Sequence, residues 1–237
     1  VTDQNADQNA DPKADQKSAA AERAVEWVES GMTVGLGTGS TAVWAIRALG
    51  AALADGRLRG IVGVPTSTVS ERDAHAAGIP VVALAAHPVV DLTVDGADEV
   101  DPALNLIKGH GGALLREKVV AQASRREVIV VDDSKPSPRL GTKMSLPVEV
   151  LQFAATLERH YLESLGATVT LRGGDAVPFV TDEGNWIYDC DFGPIDDCER
   201  LSALLHERAA IVEHGLFIAL TTDLLVATPT GVEHKTR

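Results

Sequence analysis

The run "EVIVVD", residues 127 to 132, limits the possible folds more than any other feature of the chain. A strand with one wet face alternates apolar and polar residues. This one places Val128, Ile129, Val130 and Val131 in succession, so it needs apolar cover on both faces. "MTVGLG", "GIVGVPTS", "IPVVAL" and "VDLTVDGAD" read as further strands of the same kind, and "DLLVATP" and "GLFIAL" near the end are apolar enough to join them. Helical patterns lie between: "SAAAERAVEWVESG", with Ser18 as N-cap and Gly31 as stop, then "STAVWAIRALGAAL", "SERDAHAAG" and "GALLREKVVAQAS". Strand and helix in alternation predict an α/β fold, a Rossmann-like, mostly parallel sheet with helices on both faces.

The rhythm changes after "SKPSPRLGTK", residues 134 to 143. "LPVEVL", "FAATLERHYLESLG", "ATVTLRG", a hairpin "PFVTDEGNWIYDCDF" turning near Glu183-Gly184-Asn185, "DDCERLSALLHERA" and "AIVEHG" follow in a βαββαβ order. That order predicts a smaller inserted α+β domain of ferredoxin-like type. The expected division is a disordered acidic tail at 1–16, an α/β catalytic domain at 17–141 and 214–237, and the ferredoxin-like domain at 142–213. The tail repeats DQNA and holds almost nothing apolar.

Ligands of parallel sheets bind beyond the carboxyl ends of the strands. Stretches after residues 36, 94 and 131 follow such strands, and with "IKGHGGALLREK" they carry the chemistry. In "GLGTGSTA", residues 35 to 42, a dinucleotide fingerprint would need a third glycine where Ser40 stands, and no Gly-Lys-Ser/Thr follows for a Walker loop. The Thr38-Gly39-Ser40-Thr41 segment offers instead backbone N–H groups, hydroxyls and a helix N-terminus, a seat for a single phosphate. The plainer reading is a tight turn with Ser40 as N-cap. In "VDGADEVD", Asp95 and Asp98 flank only Gly96 and Ala97 at a strand end, which favours projection into a crevice over a solvated acidic loop, and the EF-hand pattern does not fit. In "IKGHGGALLREK", Lys108 precedes the turn Gly109-His110-Gly111, and Glu117 follows on a helix. A carboxylate beside a cation can act as a base on a carbon acid, with the cation stabilising the oxyanion. Taken singly, Glu117 is also a surface charge between Arg116 and Lys118, and Lys135 in "VVDDSKPS" a loop lysine.

The formal net charge of −13 argues against nucleic acid and anionic membranes as partners, and it requires a local cationic site for any anionic substrate. No apolar run is long enough for a membrane span and no secretory signal is visible, so the expected location is cytoplasmic. Cys190 and Cys198 read as reduced structural thiols, and the scattered histidines give no metal spacing.

Together, in this order and spacing, "GLGTGSTA", "VDGADEVD", "KGHGGALLREK" and "DDSK" resemble ribose-5-phosphate isomerase of type A, and the likeness continues through "LPVEV", "VTDEGNWIYD" and "VEHGLF". The resemblance implies a metal-free aldose–ketose isomerase of the non-oxidative pentose phosphate pathway, without cofactor, acting on a small sugar phosphate as a homodimer or homotetramer. It implies Glu117 as the base between C2 and C1 through a cis-enediol, and Lys108 as stabiliser of the enediolate. Asp95 and Asp98 would bind the sugar, with Asp95 aiding ring opening. Thr38 to Thr41, Lys135 and Lys17 would take the phosphate. The family has an unbroken glycine run where this chain has His110, so a side chain there needs room, and one pointing into the site would titrate with turnover. A sugar-phosphate sensor and a nucleotide-dependent oxidoreductase are the alternatives. The first lacks a DNA-binding helix pair and has little need of Glu117, and the second lacks its third glycine.

Overall fold

A computed structural model of the chain describes residues 13–237. The elements run α1 (Ala14–Val25), β1 (Thr33–Leu36), α2 (Ala42–Ala54), β2 (Val62–Pro65), α3 (Thr68–Ala76), β3 (Leu92–Asp95), β4 (Glu99–Val100), β5 (Leu106–Ile107), α4 (Leu114–Ala123) and β6 (Glu127–Asp132). Then come β7 (Leu146–Val150), α5 (Ala155–Ser164), β8 (Thr168–Leu171), β9 (Trp186–Asp191), α6 (Cys198–His206), β10 (Ile211–His214), β11 (Leu216–Phe217), β12 (Asp223–Thr228) and β13 (Gly231–Thr236).

The main sheet has the order β13-β12-β6-β3-β1-β2, parallel throughout except for the edge strand β13. The chain winds from β1 outward to β2, then crosses back to the other side of β1 for β3. A crevice therefore opens between the carboxyl ends of β1 and β3, where strand order reverses. The unbroken apolar run of β6 lies in the interior of this sheet. Val128 and Val130 join the core under Ala20, Ala21 and Ala24 of α1, while Ile129 and Val131 join the core on the opposite face with Ala121, Phe217 and Leu224. Fully burying each such side chain is worth about 1.5–3 kcal/mol. The small residues of α1 let its backbone lie close to the sheet.

The second sheet is antiparallel, β10-β7-β9-β8, with α5 and α6 in the connections. That is the strand order of a split βαβ unit, with its own core around Val148, Val150, Leu162, Tyr188 and Leu205.

Several expectations need correction. The first helix begins at Ala14, not Ser18, so the end of the expected tail is helical; the rest, residues 1–12, lies outside the described residues. Ser18 is not its cap, because its hydroxyl donates to Glu22 one turn on. The helix ends at Val25, short of Gly31, which turns at φ +87. "IPVVAL" makes only a single bridge, Val81 to Gly63, before the chain turns away at Ala83. "GLFIAL" does not return to the main sheet: β11 pairs with β5 in a three-stranded sheet, β11-β5-β4, packed across it. The first arm of the expected hairpin is one bridge, Val180 to Trp186, around a Thr181–Asn185 turn. The edge strand β13, largely exposed and charged, had no apolar signal to announce it.

Candidate active site

The loops after β1, β3 and β6 and the turn between β5 and α4 surround one cleft at the switch point. Thr38, Gly39, Ser40, Thr41, Gly96, Ala97, Asp98, Lys108, Gly109, Gly111, Glu117 and Lys135 line it. Residues nearly a hundred positions apart in sequence meet here because each ends, or follows, a strand of the same parallel sheet or of the small sheet against it.

Asp95 ends β3 beneath the cleft and is wholly buried. Its Oδ1 accepts the backbone N–H groups of Gly96 at 2.7 Å and Thr38 at 3.2 Å, tying the two loops together. Gly37 is required beside it, since a Cβ there would stand 2.3 Å from Asp95 Oδ1 and 2.6 Å from its Cα. Lys108 leaves the end of β5, 3% exposed, and its ammonium donates to Gly96 O at 2.7 Å and forms ion pairs with Asp95 Oδ2 at 3.1 Å and Glu117 Oε1 at 3.2 Å. Glu117 sits in the first turn of α4, 5% exposed, with Oε2 buried and unpartnered. A helix can bury both Glu117 and its neighbour Lys118 only if two surfaces cover it. The cleft takes Glu117, and Lys118 turns to the second sheet, donating to Glu213 Oε1 at 2.7 Å and His214 O at 2.6 Å.

Burial pushes the Glu117 carboxyl up to about 8, with the Lys108 charge opposing and that of Asp95 adding to the rise. Asp95 is raised too, chiefly by burial, against the pull of Lys108. Burial works against the Lys108 ammonium, but the Asp95 and Glu117 carboxylates outweigh it and hold the proton firmly. The cluster is therefore a fixed cation between two carboxyls, one of which titrates near neutrality. That is the range in which one group can both take and return a proton.

The loop after β1 leads into α2. Thr41 is its N-cap residue, and the hydroxyl makes no capping bond. Thr38 Oγ1 is held by Thr66 Oγ1 at 2.8 Å and Ser67 Oγ at 2.7 Å. Lys17 is not at the edge of a tail but inside α1 and buried, its ammonium donating to Ser40 Oγ at 2.9 Å. Lys135 lines the cleft from the loop after β6, whose backbone is bonded to Val100.

His110 does not point into the cleft. Its Nε2 lies 3.0 Å from Ser145 O, and its backbone N–H donates to Asp98 Oδ2 at 3.0 Å. Positive φ falls on Gly109 (+106) and Gly112 (+83) and not on His110, so the turn accepts a side chain at 110 without strain. Sequence reasoning missed Thr66 and Ser67, although "PTSTVS" also follows a strand end, and it missed Arg172, which reaches the turn from the second sheet.

His206, Glu213 and His214 are the one grouping of metal-ligand type found among the described residues. His214 Nδ1 accepts the Leu216 N–H at 3.2 Å, which leaves its proton on Nε2, 3.1 Å from Ser202 Oγ. Lys118 occupies Glu213. The grouping is spent on hydrogen bonds, and His214, pushed down to about 2 chiefly by burial, stays neutral within it.

A Rossmann-like sheet with a glycine- and hydroxyl-lined loop and a buried carboxyl–ammonium–carboxyl cluster at its switch point has the equipment of the class of enzymes that move protons on a small bound molecule. The model of the family described as ribose 5-phosphate isomerase A (phosphoriboisomerase A) matches residues 62–231. A ribose-5-phosphate isomerase A of Desulfatibacillum aliphaticivorans is 55% identical over 214 residues, 90% of this chain and 93% of the relative. One of Chloroflexus aurantiacus is 55% identical over 218 residues, covering 92% and 91%. Among solved structures, a D-ribose-5-phosphate isomerase in complex with phospho-erythronic acid superposes with a TM-score of 0.91 at 37% identity, covering 94% of this chain and 98% of that one. The ribose 5-phosphate isomerase A of Methanocaldococcus jannaschii gives 0.89 at 37% identity, covering 95% and 100%. The chain belongs to the ribose 5-phosphate isomerase A family, and it is an aldose–ketose isomerase.

Proposed function

We propose that the cleft interconverts ribose 5-phosphate and ribulose 5-phosphate, with Glu117 as the proton carrier, Lys108 as the oxyanion's cation and Asp95 as the group that helps open the furanose. The observation that carries this reading is the Asp95–Lys108–Glu117 cluster, buried and joined at 3.1 and 3.2 Å. With the open-chain aldose bound, Glu117 takes the proton from C2 and the electron pair moves to the C1 carbonyl oxygen, giving the cis-enediolate beside Lys108. The O2 proton passes to O1, and C2 becomes the carbonyl as Glu117 returns its proton to C1. Atoms and charge balance without a redox partner, and the family resemblance supports a reaction free of metal and cofactor.

The phosphate is placed on Thr38 to Thr41 at the start of α2, where backbone N–H groups and the positive helix end favour an anion. Lys17, through Ser40, and Lys135 add charge there. Asp98 and the Gly96–Ala97 and Gly109–Gly111 backbones face the sugar. On this reading the larger domain, 17–141 and 214–237, binds and reacts, and the 142–213 domain supports it from the side. Exposed Phe153 and Leu157, 99% and 58% accessible, support a homodimer or homotetramer, which sedimentation would measure. A phosphorylated metabolite as substrate supports the cytoplasm as location. No helix among the described residues is long and apolar enough to cross a membrane.

The deciding test is a coupled assay of ribulose 5-phosphate formation with EDTA present. Full activity is expected; activity lost to EDTA and regained with metal overturns the metal-free mechanism, and no activity under either condition overturns the assignment of substrate.

A further inference from the structure

We infer that Arg172, on the ferredoxin-like domain, is a positioning residue that fixes which way the central peptide of the Gly109–Gly112 turn faces. The inference rests on the isomerase reading of the cleft. Gly109 to Gly112 form a β-turn closed by Gly112 N–H to Gly109 O at 2.9 Å. The peptide between His110 and Gly111 is its central unit, and in such turns that unit can rotate by about half a revolution between two common forms. The rotated form needs positive φ at the third residue, here Gly111, which glycine would permit. Gly111 is not in that region.

Arg172 supplies the reason. Its Nη1 donates to Gly109 O at 2.8 Å and to His110 O at 3.2 Å, and Arg172 is not among the residues that line the cleft. Its Nε and Nη2 clamp the Asp189 carboxylate, Nε at 3.0 Å, so the guanidinium cannot follow a rotating peptide. The side chain is only 14% exposed. A trans peptide sets its N–H opposite its C=O. Holding Gly109 O therefore aims the His110 N–H, which meets Asp98 Oδ2 at 3.0 Å. By the same geometry, holding His110 O aims the Gly111 N–H into the cleft that Gly111 lines. There it is a donor for a sugar oxygen, and the cation on its carbonyl side strengthens it. Phe179 closes the turn from the same domain: a Cβ on Gly112 would stand 2.4 Å from its ring.

The test compares wild type with Arg172→Gln, Arg172→Lys and Asp189→Asn. It measures kcat and KM on ribose 5-phosphate, and binding of phospho-erythronic acid and of inorganic phosphate by calorimetry. With the charge-assisted bonds to the turn lost, Arg172→Gln is expected to lower kcat about tenfold or more and weaken phospho-erythronic acid comparably. Inorganic phosphate should bind within about twofold of wild type, because the loop after β1 is untouched. Arg172→Lys should fail to rescue, since one ammonium cannot hold Asp189 and two carbonyls at once. Equal losses of phosphate and of phospho-erythronic acid would reduce Arg172 to general structural support and overturn the inference. So would kcat and acid binding unchanged in Arg172→Gln. Should that variant not fold, Asp189→Asn, which keeps the guanidinium but loosens it, is expected to lower kcat severalfold, and an unchanged kcat there overturns the inference equally. An active wild type with indifferent variants defeats this inference alone, whereas an inactive wild type defeats the reading beneath it.

Discussion

Replacing Glu117 by glutamine keeps the shape of the side chain and removes its ability to ionise, and the structure says what stability should then do with pH. The carboxyl is 5% exposed, its Oε2 has no partner, and burial raises it to about 8 from an ordinary 4.5. Between those two values the native chain keeps a proton that the unfolded chain has released. The native state thus binds more protons, and stability falls as pH rises, by about 1.4 kcal/mol per pH unit. The contribution is whole below pH 4.5 and gone above about pH 8, a loss of about 5 kcal/mol across the window. Asp95 shares the same ammonium, so the two carboxyls titrate as a pair and the loss belongs to that pair. Glutamine does not titrate. Urea unfolding of wild type and Glu117→Gln at pH 5, 7 and 9 should therefore show the variant gaining on wild type by several kcal/mol toward alkaline pH. The same samples should turn over ribose 5-phosphate orders of magnitude more slowly than wild type. A difference in unfolding free energy constant to about 1 kcal/mol over that range would refute the argument, because it would mean that Glu117 ionises like an exposed carboxyl.

The same proton should appear in the kinetics: kcat/KM of wild type is expected to rise about tenfold per pH unit up to about pH 8 and then level, and a flat profile from pH 6 to 8 would remove Glu117 as base. Lys108→Met takes away the charge that holds Glu117 down, so that limb should move to higher pH while kcat drops; a limb moving to lower pH contradicts the pairing. Thr41→Ala should raise KM about tenfold with kcat within a few-fold, as expected for a lost anion contact, and an unchanged KM would place the phosphate elsewhere. Gly37→Ala forces a Cβ against Asp95 and should lower both melting temperature and turnover; a variant with normal stability would show that the two loops are free to separate.

The parts of this molecule that could be read from sequence are those in which a local rule and the tertiary fold agree. "EVIVVD" is apolar on both faces because both faces are covered, and the loops that follow such strands had to converge because parallel strands end on one side. The helix pattern leaves Glu117 between Arg116 and Lys118 and reads as readily as a surface charge; the nearby Lys108 suggests a base, and the family resemblance decides for it. What stayed hidden depends on pairing that leaves no local trace. β11 and β5 are two residues each, too short for any periodicity, yet they carry Lys108 and Phe217 into place. Arg172 sits at the end of an ordinary half-exposed strand, and nothing in its neighbourhood signals that its guanidinium crosses to another sheet. Lys17 seemed to border a tail because the acidic repeat before it suggested disorder, whereas Asp15 in the first turn of α1 suits a helix start.

On the proposed mechanism, these burials also settle how so acidic a chain handles a substrate that is itself anionic. Lys108 donates to Gly96 O and is ion-paired with Asp95 and Glu117, so its charge is already balanced and adds little attraction for the incoming phosphate. That task falls to the start of α2, Lys17 and Lys135. The balance at Lys108 changes only during the reaction. When Glu117 takes the C2 proton it loses its negative charge, and the same unit of charge appears on the substrate oxygen. The ammonium, released from a carboxylate that has become neutral, then faces the oxyanion with no change in the total charge of a buried site. Moving charge within a fixed total avoids the large cost of creating it there. A surface lysine free to bind the substrate from the outset would hold ground state and transition state alike. A lysine held by the base that is about to be neutralised favours the transition state.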